Sequence, residues 1–183
     1  MKKLLLIDGH DRFKRAPGHL TTFMSDLIKE VSTAKFEIQE TKIIDGYEVE
    51  EEIKKFQWAD LVIVQTPIYW FSLPGVLKKY MDDVFIPDVF FKKSNEFGRG
   101  GLLTQKDYML SVSWGAKENA FNGSKADFLE GHSEDDVLFP VHKTFEYCGM
   151  RRRPTFSIYS AMKNPSLTES ATRFQAHFTT HLI

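Results

Sequence analysis

Apolar residues in this chain recur in two alternating rhythms. Leu4 to Ile7 is a short unbroken run closed by Asp8-Gly9, the pattern of a strand covered on both faces. Leu20, Phe23, Met24, Leu27, Ile28 and Val31 then follow at the spacing of one face of an amphipathic helix. Phe36, Ile38 and Ile43 predict a second strand with imperfect alternation, and Tyr47 to Trp58 a helix with Val49, Ile53 and Phe56 inward. On its outer side Glu50 with Lys54, and Glu51 with Lys55, form favourable pairs four residues apart. Leu61 to Val64 is the clearest central strand. A helix with Pro74 at its entrance carries Val76, Leu77, Tyr80, Met81, Val84 and Phe85. Residues 86–106 hold no stable period, and Gly98, Gly100 and Gly101 mark a loop. Tyr108 to Val112 is the fourth strand, Pro140 to Tyr147 a helix ended by Gly149, and Thr155 to Tyr159 the fifth strand. Phe174, Phe178 and Leu182 space out the last helix.

Five alternations of strand and helix predict one α/β domain over residues 1–183: a parallel five-stranded sheet with helices on both faces, a three-layer sandwich. In such sheets a ligand sits beyond the carboxyl ends of the strands, near the point where strand order reverses. The loops after strands one, three and four are therefore the candidate site. The first, Asp8 to Leu20, has Arg12, Lys14 and Arg15 ahead of Gly18 at a helix start, a combination that suits phosphate. It matches neither the P-loop nor the G-x-G-x-x-G fingerprint, and a solvated basic turn would look the same. The loop after strand three, Thr66-Pro-Ile-Tyr-Trp-Phe71, strings three aromatics behind a proline, which suits a planar heterocycle or a subunit interface. The loop after strand four, Ser111 to Ala116, ends in small residues that let backbone approach a ligand or simply turn.

Composition narrows the partners. The 24 Lys and Arg against 25 Asp and Glu leave a formal charge of −1, without the surplus that nucleic-acid binding requires. The lone Cys148 excludes an intrachain disulfide and a cysteine zinc cage. The opening apolar run is too short for a secretory signal, and no run approaches the roughly 20 residues of a membrane helix, so a reducing cytoplasm is the expected location. Sixteen Phe, 6 Tyr and 3 Trp leave rings to spare for a flat ligand.

Several stretches carry a resemblance that spans nearly the whole chain in order. They are Lys3-Leu-Leu-Leu-Ile-Asp-Gly9, Trp58-Ala-Asp60, Gln65-x-Pro67 with Trp70, and Pro74-x-x-x-Lys-Lys-Tyr-Met-Asp-Asp-Val-Phe85. Gly98-x-Gly-Gly-Leu-Leu103, Tyr108 to Trp114, Ala120-Phe121, Phe139-Pro-Val-His-Lys143 and Gly149-Met150 complete them. The chain resembles the flavodoxin-like NAD(P)H:quinone oxidoreductases, above all the bacterial modulator of drug activity B branch. That resemblance implies a homodimer with one FAD per subunit, sites at the subunit interface, and two-electron reduction of quinones by NAD(P)H in ping-pong fashion. It implies that Ala16, Gly18, His19, Leu20 and Phe23 hold the pyrophosphate side. Pro67, Ile68, Tyr69, Trp70 and Phe71, with Ser113, Trp114, Gly115 and Ala116, would lie along the ring system. Phe97 stands where the branch has a cofactor-contacting Tyr. The chain departs from the branch in having Pro67-Ile-Tyr-Trp70 for Pro-Gly-Trp-Trp and Trp114-Gly-Ala116 for Trp-Asn-Ala, and in a shorter loop before Gly98.

His132 is the candidate proton donor to the quinone oxygen, against a plain surface role. His10 is a candidate cofactor contact, and His142 a structural histidine. His177 and His181 are four apart but lack a nearby carboxylate, so no metal is expected. Arg151 to Arg153 could meet a nucleotide phosphate or be an exposed basic edge. Competing readings of the whole chain are an FMN electron carrier, a regulatory subunit of an ion-efflux system, and an azo-dye or nitroaromatic reductase.

Overall fold

The computed structural model describes residues 1–14 and 16–183. Strand β1 (Lys2–Asp8) leads through the first loop to α1 (His19–Ser32), β2 (Phe36–Lys42), α2 (Val49–Trp58), β3 (Leu61–Pro67) and α3 (Gly75–Val84). After a long loop come β4 (Asp107–Ser113), α4 (Glu134–Val137), α5 (Phe139–Tyr147), β5 (Arg151–Arg152), β6 (Phe156–Ile158) and α6 (Leu167–His181). All named strand pairs are parallel, in the order β2-β1-β3-β4, with β5 and β6 both on the far side of β4. This is the flavodoxin-like order, and it reverses between β1 and β3.

Strand parity divides the core. In β1, Leu5 and Ile7 face the layer of α2, α3 and α5, where Phe56, Leu77, Tyr80 and Phe145 pack. Leu4 and Leu6 face α1 and α6, meeting Met24, Ile28, Phe174 and Phe178. Both sides of β1 and β3 are thereby dry, which is why their sequences read as unbroken apolar runs. Edge strand β2 pairs with β1 alone, so Glu37, Gln39 and Glu40 interrupt its pattern without cost, and Ile43 falls in a 3-10 turn beyond it.

Four expectations need correction. The fifth strand is two pieces: Arg151–Arg152 pairs with Asp107–Tyr108, and Phe156–Ile158 with Ser111–Ser113. The interruption contains Pro154, which has no N–H for the ladder. Helix α4 was not anticipated; Ser133 caps it in a box with Asp136, and Ser133-x-x-Asp136 was its legible signal. On α2 the pairs are Lys54 with Glu51 and Lys55 with Glu52, three apart. Glu50, Glu51 and Lys54 are exposed, a solvated face, while Glu52 beside them is buried and accepts from Thr41 Oγ1 at 2.7 Å and Tyr80 Oη at 2.6 Å. The phosphate alternative for Arg151 to Arg153 falls away, because Arg151 and Arg153 form a basic edge paired with Asp107 at the amino end of β4, away from the strand ends where a ligand would sit.

The glycines of the long loop are a packing device. A β-carbon on Gly101 would stand 2.2 Å from the backbone nitrogen of Gly149, where neither chain can yield. The two backbones touch there, closing the loop onto the end of α5, and Leu103 N–H donates to Cys148 O.

Candidate functional site

Parallel pairing brings Asp8, Pro67, Ser113 and Ile158 to one edge of the sheet. Their loops are stitched by backbone bonds: Gly9 N–H to Gln65 O, Ile68 N–H to Ser113 O, and Trp114 N–H to Ile158 O. Above this edge opens a cavity of about 1360 Å³, larger than the roughly 300–1,000 Å³ that suits drug-sized ligands. The first loop and the start of α1 form one end, from His10 to Thr21. The loop after β3 and Ser113 with Gly115 form the middle, and Ala161, Met162, Asn164, Pro165 and Leu167 the other end. Among the described lining residues there is no Asp or Glu, while Lys14, His10 and His19 are present. A second hollow of about 560 Å³, near Tyr47 and Asp83, carries Glu48, Glu50 and Glu51 and has the wrong charge for a phosphate.

At the first end, α1 begins without a side-chain cap and without an acidic residue in its first turn. Its opening N–H groups and positive dipole end face the cavity. Gly18 has φ of 92°, and a β-carbon there would stand 2.1 Å from His10 Cε1, so the buried His10 ring lies directly under it. Asp8, below the same loop, accepts from Ser25 Oγ at 3.0 Å and from His10 N–H at 3.2 Å. Burial still outweighs those bonds and raises its carboxyl above the ordinary value. Of the basic residues expected here, Lys14 lines the cavity, Arg12 is exposed, and Arg15 lies outside the described residues.

In the middle, Tyr69 and Ser72 exchange both backbone hydrogen bonds, at 2.9 and 3.0 Å. The two residues between them, Trp70 and Phe71, have φ of 51° and 63°. Both central positions of this tight turn are therefore left-handed, a conformation that suits Asn-Gly and strains bulky side chains. Its effect is to throw Trp70 outward, 93% exposed, at the lip of the cavity.

Of the residues carried over from the resemblance, Ala16, Gly18, His19, Leu20, Pro67, Ile68, Tyr69, Trp70, Ser113 and Gly115 line this one cavity. Others are placed elsewhere. Phe23 packs on the α1–α6 core, because it shares the inward face of its helix. Trp114 is buried, its Nε1–H donating to Ser157 Oγ at 3.2 Å, so its indole is core. Phe71 leans on Phe128 at 5.8 Å, and Ala116 O accepts from Ser160 N–H. Phe97 is 92% exposed and packs near Tyr147 at the end of α5, outside its own chain's cavity. His132 is exposed 3.9 Å from Asp136, on α4, and does not line the cavity.

A family model described as flavodoxin-like fold matches residues 2–181. The chain belongs to the flavodoxin-like fold family. Within that family, the NADPH:quinone oxidoreductase MdaB of Haemophilus influenzae is 36% identical over 185 residues, 95% of this chain and 96% of that protein. Two solved structures share the fold. The general stress protein 14 of Treponema denticola, in complex with FMN, superposes with a TM-score of 0.73 at 24% identity, covering 98% of this chain and 99% of that one. An azoreductase of Bacillus anthracis does so at 0.66 and 16%, covering 98% of each.

The flavodoxin-like sheet also explains what the sequence reading missed. The segment 161–167 follows the last strand, whose carboxyl end belongs to the same edge, and the Asn164-Pro165 turn was its signal. His142 has the structural role expected of it: buried, it bonds Tyr108 Oη at 2.9 Å through Nδ1 and Asp135 at 3.0 Å through Nε2. Asp135 is held below the ordinary carboxylate value chiefly by that histidine. His177 Nε2 is engaged by the Pro154 carbonyl at 3.0 Å, and no group of three or more metal-binding side chains occurs among the described residues. Among those residues no helix is long and apolar enough to cross a membrane.

Proposed function

We propose that this chain is an NAD(P)H:quinone oxidoreductase that holds FAD in the cavity and works as a homodimer. The observation that carries this reading is the continuity of the lining. A phosphate-suited helix start, an aromatic wall and a further arm at Ala161–Leu167 share one cleft that is free of carboxylates among the described residues. That length favours a dinucleotide over FMN, and MdaB, alike over almost its entire length, is named as a quinone oxidoreductase.

The residues fit a flavin. Lys14 and the uncapped N–H groups of α1 neutralise phosphate. Ile68, Tyr69 and Trp70 wall a planar ring, and Gly115 lets backbone come close beneath it. A bound flavin would supply hydride exchange between a reduced nicotinamide and a quinone. The protein binds, orients and keeps water away. In the dimer, Phe97 reaches the cleft of the second copy, which accounts for a large ring left 92% exposed. His132 serves that reaction only if the loop carrying it closes, since it stands outside its own cavity.

The test is the flavin itself. Purified protein is expected to release FAD on heating, identified by chromatography, and to turn over menadione with excess NADPH and no partner protein. A colourless protein that takes up neither flavin overturns the reading. Bound FMN together with azo-dye turnover would favour the azoreductase alternative, which shares the fold.

A further inference from the structure

Three buried side-chain atoms in the described residues have no hydrogen-bond partner: Ser32 Oγ, Glu40 Oε1 and Tyr69 Oη. Ser32 closes α1 and Glu40 sits on edge strand β2, where its other oxygen accepts from Lys29. Tyr69 alone of the three lines the cavity.

A buried hydroxyl without a partner costs about 1–3 kcal/mol, and phenylalanine would fill this wall without that cost. The side chain is held in place from two directions. Its backbone is clamped by the strained Trp70–Phe71 turn, and its ring meets Phe13 of the first loop edge-on at 5.4 Å. Tyr69 thus stands at the junction between the phosphate end of the cavity and its aromatic middle. Burial, with Asp11 nearby, raises its pKa, so the hydroxyl remains a donor.

We infer that Tyr69 is a cofactor-positioning residue whose hydroxyl donates to the ribityl phosphate chain of the bound flavin, at the junction of the first loop and the loop after β3. The inference rests on the flavin reading above and adds to it one specific bond. The hydroxyl has no partner in the flavin-free chain, and the flavin oxygen would supply one. The polar group is thereby satisfied only in the loaded protein.

The test compares wild type with Tyr69→Phe, both stripped of flavin. Dissociation constants for FAD, FMN and riboflavin are measured by quenching of flavin fluorescence, and urea midpoints are taken on the flavin-free proteins. Tyr69→Phe is expected to bind FAD and FMN roughly tenfold more weakly, the factor that a bond of about 1.4 kcal/mol represents. Its flavin-free midpoint should be equal or higher, since an unpartnered hydroxyl has gone. A loss confined to FAD and FMN identifies a phosphate oxygen as the acceptor, and an equal loss with riboflavin identifies a ribityl oxygen. Unchanged affinity for all three flavins overturns the inference, as does a drop in flavin-free stability that matches the lost affinity. Failure of wild type to bind any flavin overturns the underlying reading instead.

Discussion

Gly18→Ala separates backbone strain from steric conflict at the phosphate end of the cavity. Gly18 has φ of 92°, and its carbonyl accepts from Thr22 N–H at 2.9 Å in the first turn of α1. An added β-carbon would stand 2.1 Å from His10 Cε1 and 2.4 Å from Nε2. The left-handed backbone alone costs an L-residue about 1–2 kcal/mol. The clash should add about 1–3 kcal/mol, because the ring is buried and must be driven off its packing. Gly46 is the open-space comparison: its φ is 91° and its ψ 163°, a region almost exclusive to glycine, with nothing within 4 Å of the added atom. Urea unfolding of flavin-free protein should therefore show a loss of about 2–5 kcal/mol for Gly18→Ala, against about 1–3 kcal/mol for Gly46→Ala from its backbone alone. Flavin affinity should fall for Gly18→Ala alone, since moving His10 moves the first N–H groups of α1. A loss in Gly18→Ala no larger than the roughly 1–2 kcal/mol of its left-handed backbone would refute the steric argument. Undiminished flavin affinity in Gly18→Ala would refute the role given to the start of α1.

Trp70 combines φ of 51° with 93% exposure, so Trp70→Asn trades strain for a residue that tolerates the left-handed region. Its melting temperature should rise by about 2–4 °C, from relief of about 1 kcal/mol, while the KM for menadione increases; calorimetry and steady-state kinetics decide both halves, and a lower melting temperature would count against the strain. Asp8 supplies a pH prediction. Its folded-state carboxyl is raised above the ordinary 3.8, so the folded protein holds that proton more tightly than the unfolded chain. The group's contribution is complete below 3.8 and is lost as pH rises through the raised value. Urea midpoints between about pH 4 and about pH 7 should fall more steeply in wild type than in Asp8→Asn; parallel profiles would refute the desolvation account.

The layered fold was readable along the chain because burial has a local signature. A strand covered on both faces is apolar at every position, and a helix packed on one side repeats at its own period; β1, β3 and α1 needed nothing more. The three loops after strands one, three and four were readable as a site for the same reason, since parallel strands carry their carboxyl ends to one edge. Departures came where partners lie far apart in sequence. Pro154 split the last strand against β4, and Glu52 was drawn inward by Thr41 and Tyr80, neither of them on its own helix.

Side-chain direction was the other thing hidden. Tyr69, Trp70 and Phe71 are consecutive, yet a left-handed turn leaves one hydroxyl buried, one indole in solvent and one ring against Phe128. Trp114 and Phe97 looked alike as ring-bearing candidates, but one fills the core beside Phe121 and the other stands on the loop that joins the end of α5. Periodicity records whether a residue meets water, because that cost is paid residue by residue. Which cavity it faces depends on strand order and on backbone torsions at the turns, and those follow from contacts across the whole chain.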